Sequence, residues 1–474
     1  MKTIRFTIFS ILFGLVVLVS ACKKEATPVA VTQSGSKILV TGQDTGTGLK
    51  STLSGQSTVW IATSDKVGVY SSQARAATGG SGSAIVNAEF TAAASGPSSA
   101  FTGTMFWGTG TATDHTFYAY YPYTAGSAAS TAVPVSLATA QTQSAAGSSA
   151  HIGSLDFMVA TPVTVVSPGN TDAVGSAVNL SYNHLFTVLE FQIKGTGLLK
   201  AVSLSTSNTL AFSGGTINIG QSTPATDVAY TFASQTGTTN QATVTLTSPA
   251  TLNASTATTV YMVINPGTQT GNCLIGLSSD GTNWTYISKT APTGGFLRGK
   301  KYVVTIDQAT ASASAAGFSY QGGKIFYILQ PSDFGYVSGE THGLIAATSD
   351  QSIAIRWAEP AYQSTSVAGT LTTLGSGSAN TDKIIAQNGA GSTYAAGLAR
   401  SYNGGGFSDW YLPSKDELNE LYLNRTEVGG FASAYYWSSS ENYWSAAFNQ
   451  YFPNNGQYSN DKSYALRVRA VRAF

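Results

Sequence analysis

From Leu185 to Ile193 the chain alternates with a period of two. Leu185, Thr187, Leu189, Phe191 and Ile193 fall on one side, and Glu190, Gln192 and Lys194 on the other. Only an extended strand carries that pattern on one face, so the stretch predicts β structure with a buried side. Shorter runs of the same kind recur at Val59–Ile61, Phe117–Tyr121, Val260–Ile264 and Tyr302–Ile306, separated by Gly, Ser, Thr and Asn turns. No helical period interrupts them between residues 37 and 306. Charged residues make up only 10% of the chain, against about a quarter in ordinary domains. Low charge with many Thr, Val and Tyr suits sheets and not helical bundles. One or two antiparallel sandwiches are the expected architecture of this region.

The first 22 residues direct the rest of the chain out of the cytoplasm. Lys2 and Arg5 precede an apolar run from Phe6 to Val19, which ends in Ser20-Ala21-Cys22. A short cationic start, an apolar stretch and small residues at the cut make a secretory signal, and the run falls short of the roughly 20 residues that span a bilayer. The cysteine directly after the small residues resembles the lipobox of bacterial lipoproteins. That resemblance implies acylation of Cys22 and a mature chain of about 450 residues held to the outer membrane by lipid, long enough for roughly two to four domains. Cys273 is then the only other cysteine, so no disulfide forms within the mature chain and stability rests on large cores. The formal net charge of +1 offers no basic stripe for nucleic acid.

Residues 23–36 read as a tether and 37–306 as the β region. The small, polar segment 307–317 (DQATASASAAG) reads as a linker. From 318 to 474 the character changes to mixed α and β. Ser414 followed by Glu417 is a capping box before Leu418, Leu421 and Tyr422, with Gly429-Gly430 as the stop. A second helix is expected over Thr393–Tyr402, and strands over Lys324–Leu329 and Ala465–Ala473.

Several phrases in the β region resemble the fimbrillin-like proteins of Bacteroidetes: Asp65-Lys66-Val67-Gly68-Val69-Tyr70, Phe117 to Tyr123 (FYAYYPY), Asp156-Phe157-Met158 and Gly299-Lys300-Lys301-Tyr302. The resemblance implies a two-part β-sandwich, display at the cell surface and partnership with other pilus subunits through strand exchange at an open sheet edge. Such proteins are matured after an arginine near the N-terminus. Here no arginine occurs between Cys22 and Arg75, and only Lys37 and Lys50 stand at about the right place. That departure favours a tip, cap or stand-alone surface protein over a shaft subunit.

The C-terminal part carries Gly322 to Tyr327 (GGKIFY), His342 to Ala347 (HGLIAA), Asp409 to Ser414 (DWYLPS), Tyr436 to Glu441 (YWSSSE) and Val468 to Arg472 (VRAVR). In this order they resemble the DUF1566 family, which is related to FISUMP domains and to C-type-lectin-like folds. The fold expected for the whole is therefore mostly β: a fimbrillin-like antiparallel β-sandwich region followed by an α+β C-type-lectin-like domain. The segment after Glu441 further resembles the variable part of proteins diversified by retroelements. Its candidate ligand-binding positions are Asn442, Tyr443, Trp444, Ser445, Asn449, Tyr451, Asn454, Asn455, Tyr458, Asn460, Asp461 and Tyr464, with Ser459 and Ser463 also variable. Phe448, Gln450, Phe452, Gly456, Gln457, Lys462 and Arg467 would be scaffold. Tyr and Trp give rigid amphipathic contact area, while Asn and Ser adapt their hydrogen bonds. The ligand expected is a protein or a glycan; a solvated Asn/Tyr/Ser-rich loop is the plainer alternative.

Catalysis finds no footing. The C-terminal part has no cysteine and one histidine, His342; His115, His151 and His184 are scattered without ligand spacing. A calcium-dependent sugar site needs clustered oxygens, and Glu359-Pro360 is followed by Ala361 with no Trp-Asn-Asp partner, so no cofactor is expected. Arg467, Arg469 and Arg472 either meet anionic glycans or pair with Glu441, Asp416 or Glu417.

Overall fold

A computed structural model describes residues 37–44, 59–77, 82–108, 114–167, 177–220, 232–269, 271–337 and 340–474. Cys22, the signal and tether before residue 37, and Lys50 lie outside the described residues. The chain is mostly β, as its alternation predicts.

The first sheet closes on itself. Seven of its eight strands run in the order Lys66–Arg75, Ala84–Ala92, Ser98–Thr102, Val40–Asp44, Val178–His184, Met158–Ala160 and Asp114–Tyr121; the last pairs back onto the first and also carries the eighth, Val163–Val166. Trp60, Val67, Val69, Phe117 and Tyr182 fill the interior. The expected strand at Val59–Ile61 is only an isolated bridge from Trp60 to Gly96, because a turn comes immediately after it.

The long alternating strand begins at Thr187 and not at Leu185, since Leu185 and Phe186 form the corner after Val178–His184. Thr187–Lys194 lies between Thr258–Ile264 and Lys301–Asp307 and is covered on both sides. Leu189, Phe191 and Ile193 pack against the five-stranded sheet containing Leu198–Ser205 and Asn272–Ser278. On the other side Glu190 is also buried, held by the Lys301 ammonium at 2.6 Å. The sheets are not purely antiparallel. Val40–Asp44 runs parallel to Val178–His184, and Thr187–Lys194 parallel to Lys301–Asp307. A single helical turn, Ile152–Leu155, interrupts the strands.

The C-terminal part combines two sheets with four helices among the described residues. A four-stranded sheet holds Gly323–Ile328, Gly343–Ala346 and Val471–Ala473; a five-stranded one runs Ser352–Ile355, Leu466–Val468, Tyr435–Tyr443, Ala446–Tyr451, Gly456–Asp461. The expected helices are Ala395–Ser401 and Lys415–Leu423, the latter with both halves of the Ser414–Glu417 capping box in place. Gly377–Asn388 is a further helix that its sequence did not announce. The strand expected over Ala465–Ala473 is two strands in different sheets, divided at the buried Arg469.

The two regions share a core. Leu274 and Tyr286 of the β region pack with Ala315, Tyr320, Trp357 and Trp410. Segment 307–317 is seated in this seam: Gln308–Thr310 forms a turn capped by Asp307, Ser312 exchanges backbone hydrogen bonds with Tyr286, and Ala315 is fully buried.

Candidate functional site

The candidate positions lie on the three consecutive strands Tyr435–Tyr443, Ala446–Tyr451 and Gly456–Asp461 and in the turns that join and follow them. The outer pair keeps unbroken register from Ala446 opposite Asp461 to Tyr451 opposite Gly456. Six residues at about 3.3 Å each separate the ends of the middle strand by roughly 17 Å, so the positions divide into two patches.

One patch surrounds the turn Trp444-Ser445. Asn442, Tyr443, Trp444 and Asp461 are exposed and Ser445 is half-buried, with Tyr464 beside them. Tyr443, Trp444 and Tyr464 are 53%, 57% and 56% exposed, an unusual outlay of aromatic surface for one end of one hairpin. Beneath it lies Lys462, completely buried. Its ammonium donates to the Trp444 carbonyl at 2.9 Å and the Thr365 carbonyl at 2.7 Å, lies 3.5 Å from the Glu441 carboxylate and sits 4.8 Å above the Trp357 ring. Burial pulls the Lys462 pKa down, and Glu441 opposes that pull. Glu441 also accepts from the Ser366 hydroxyl and the Val367 N–H. A paired buried charge therefore pins the aromatic turn to the loop around residue 366. Hydrogen bonds from Ser463 hold the Asp461 carboxyl below its usual range.

The other patch is built on Tyr435. Tyr451 stacks on it at 4.4 Å, and Tyr458 meets it edge-on at 5.9 Å. Asn454 and Asn455 are exposed in the adjoining turn. Asn455 has a left-handed φ of 64° and accepts from Gln450 at 2.6 Å. Asn449 does not belong to either surface. It is 1% exposed, set between Trp437 and Tyr458 on the neighbouring strands, and its amide donates to the half-buried Asn460 at 3.0 Å. Its place in the middle strand, over the buried Trp437, makes it an internal polar residue and not a contact residue.

The arginines are already engaged. Arg467 and the buried Arg469 both bind Asp350, at 2.9 and 2.6 Å, and Arg472 pairs with Asp409. These are not the acids the sequence suggested, because Asp350 lies in a loop more than a hundred residues earlier. Glu359 accepts from the Thr393 hydroxyl and its backbone N–H is taken by Asn388. His342 lies between the Phe474 carbonyl and Glu340. Sequence reading missed Tyr435 and the role of Lys462. Tyr435 precedes the recognised Tyr436–Glu441 phrase, and a lysine among polar residues carries no mark of burial.

The profile of a family described as fimbrillin-like matches residues 52–317, more than half of the chain. Among solved structures, a candidate cell adhesion protein from Bacteroides uniformis is 19% identical, with 58% of this chain and 94% of that one aligned at a TM-score of 0.36. A fimbrial protein from Bacteroides ovatus is 12% identical over 93% of this chain and 99% of its own, at a TM-score of 0.29. A fimbrial assembly protein from Parabacteroides distasonis is 11% identical over 57% and 90%, at 0.30. No curated protein matches.

Proposed function

Since the chain belongs to the fimbrillin-like family, we propose that it is a surface adhesin, lipid-anchored through Cys22 at the outer membrane. The β region acts as a stalk and the C-terminal part, lectin-like in fold, binds a protein or glycan. The observation that carries this reading is the exposed aromatic group Tyr443, Trp444 and Tyr464 on a turn pinned from below by Lys462. Exposed rings on a preorganised turn lose little freedom on binding, which is what a recognition surface requires. The test is adhesion of beads coated with the full chain to epithelial monolayers. Trp444→Ala combined with Tyr464→Ala should reduce attachment at least about tenfold, the loss of roughly 1.4 kcal/mol or more, with unchanged melting temperature. Undiminished attachment would sink the assignment.

The Asn, Tyr and Ser positions of the segment are proposed to be diversified. Amplicon sequencing of codons 435–474 across a grown population should find substitutions concentrated there, beside an adenine-rich template copy; an invariant segment without a template refutes diversification and leaves a fixed binding module. A second reading, a structural tip or anchor of a pilus, is favoured by Val40–Asp44. This strand fills a gap between Ser98–Thr102 and Val178–His184, so its removal would open a groove for another subunit's strand. Cleavage near Lys50, which would release that strand, and polymer ladders on gels would support it; an uncleaved monomer from cells would count against it.

A further inference from the structure

The seam between the β region and the C-terminal part is not filled everywhere. A cleft of about 890 Å³ opens there, its walls formed by Leu198, Asn283 and Trp284 on one side and by Tyr336, Glu420 and Asn424 on the other. Its size lies within the roughly 300–1,000 Å³ of small-molecule sites, and region boundaries are where such sites gather.

The walls select a kind of ligand. Neither Lys nor Arg lines the cleft among the described residues; its charged groups are Glu340 and Glu420. Glu340 is taken by His342 at 2.7 Å. An anionic ligand would therefore meet carboxylates without a counter-charge. Trp284 begins the strand Trp284–Thr290 and is half-buried. Its ring passes close over Gly276, where an added Cβ would come within 2.9 Å of it, and Trp284 lines the cleft. Glycine at 276 is what leaves room for the indole at the cleft wall. The Glu420 carboxylate, half-buried on the helix Lys415–Leu423, has no hydrogen bond to any described residue. Burial first, then the neighbouring Asp333 and Asp416, raise its pKa. Asn424 spends its NH₂ on the Glu420 backbone carbonyl at 3.1 Å, and Asn283 spends its own on Asp280 at 2.6 Å. Acceptors facing the cleft are thus left in want of donors, beside an aromatic platform.

We propose that this cleft binds a neutral carbohydrate, a short oligosaccharide whose C–H face stacks on Trp284 and whose hydroxyls donate to Glu420 and the amide oxygens of Asn283 and Asn424. Sugars offer that combination of apolar face and hydroxyl rim without charge. Because the walls come from both regions, the site exists only in the full chain, and it is separate from the hairpin turn at Trp444.

The experiment is calorimetric titration of the full chain with four neutral trisaccharides: maltotriose, cellotriose, mannotriose and triacetylchitotriose. Sialyllactose and a trilysine peptide serve as charged comparators. At least one neutral sugar should bind with a Kd between about 1 μM and 1 mM. Trp284→Ala should weaken it at least tenfold and Glu420→Gln severalfold, the second being a surface-accessible change that leaves the melting temperature in place. Trp444→Ala should leave the sugar affinity untouched, which separates this site from the hairpin. Failure of all four neutral sugars to bind overturns the proposal. So does a bound sugar indifferent to both Trp284→Ala and Glu420→Gln, or a stronger response to sialyllactose or trilysine that those substitutions abolish.

Discussion

Glu417 occupies the third position of the helix Lys415–Leu423, where a carboxylate closes the capping box by accepting from the Ser414 N–H at 2.8 Å. That role is legible in the spacing Ser414 to Glu417, because both partners are local. Its burial is not, because the covering groups come from far along the chain. The Gly375 N–H donates to it at 3.0 Å, the Gly377 N–H at 3.4 Å and the Tyr411 hydroxyl at 3.4 Å. Burial pushes the Glu417 carboxyl from 4.5 up to about 7, against the pull of the Ser414, Gly377 and Gly375 N–H groups. The folded state then holds a proton that the unfolded chain releases at lower pH. Stability from this group is complete below about pH 4.5 and falls as pH rises toward 7, by on the order of 3 kcal/mol. Glu417→Gln keeps an acceptor for the box and removes the titration. Melting curves at pH 5 and pH 8 should therefore differ less in the variant than in the parent, with the variant more stable at pH 8; an unchanged pH slope would place the relevant proton elsewhere.

At the level of elements, patterns that depend on one strand or one helix turn were readable, and those that depend on a partner were not. The alternation in 185–193 located a central strand within two residues, yet left Glu190 on a face that Lys301 and the Gln192 amide make habitable. The helix Gly377–Asn388 escaped because its buried face includes Asn380 and Thr381, satisfied by Leu371 and Leu412, and so shows no apolar stripe. Around the hairpin, the sequence reading grouped its candidate positions as one surface where the strands divide them into two, and it counted the buried Asn449 among them. The turn itself depends on Lys462. Lys462→Met should destabilise the chain by about 3 kcal/mol, since Glu441 is left buried without its cation. Adding Glu441→Gln should restore much of the melting temperature. Attachment to cells should stay low in the double variant, because the Trp444 carbonyl remains without its donor and the turn loses its anchorage. Recovery of attachment together with stability would show that the ion pair supports the fold alone.

On the scale of the whole molecule, the decisive stretch is 307–317. Its Ala, Ser and Gly residues read as slack chain, but small side chains are also what a narrow seam admits. Ala315 is fully buried in the shared core, and Gly317, at φ 84°, sits where a Cβ would come within 2.8 Å of the Glu427 carbonyl. Composition cannot separate these two uses, since the difference lies in what the segment packs against. The seam is reinforced on either side of it. Tyr320 and Gln321 both donate to the Thr206 carbonyl, at 2.8 and 3.1 Å, and Gln241 and Thr341 exchange a pair of hydrogen bonds. A connector packed this way leaves no hinge between the two regions and should resist proteolysis, which needs several residues of locally opened backbone. Elastase, which cuts after small residues, should leave 307–317 intact in the folded protein, with its first cuts at other sites. Ala315→Glu, which forces a charge into the shared core, should open the connector and release a C-terminal fragment beginning within that segment. If elastase instead splits the parent chain there at once, the two regions are hinged, and the cleft between them has no fixed walls with which to hold a sugar.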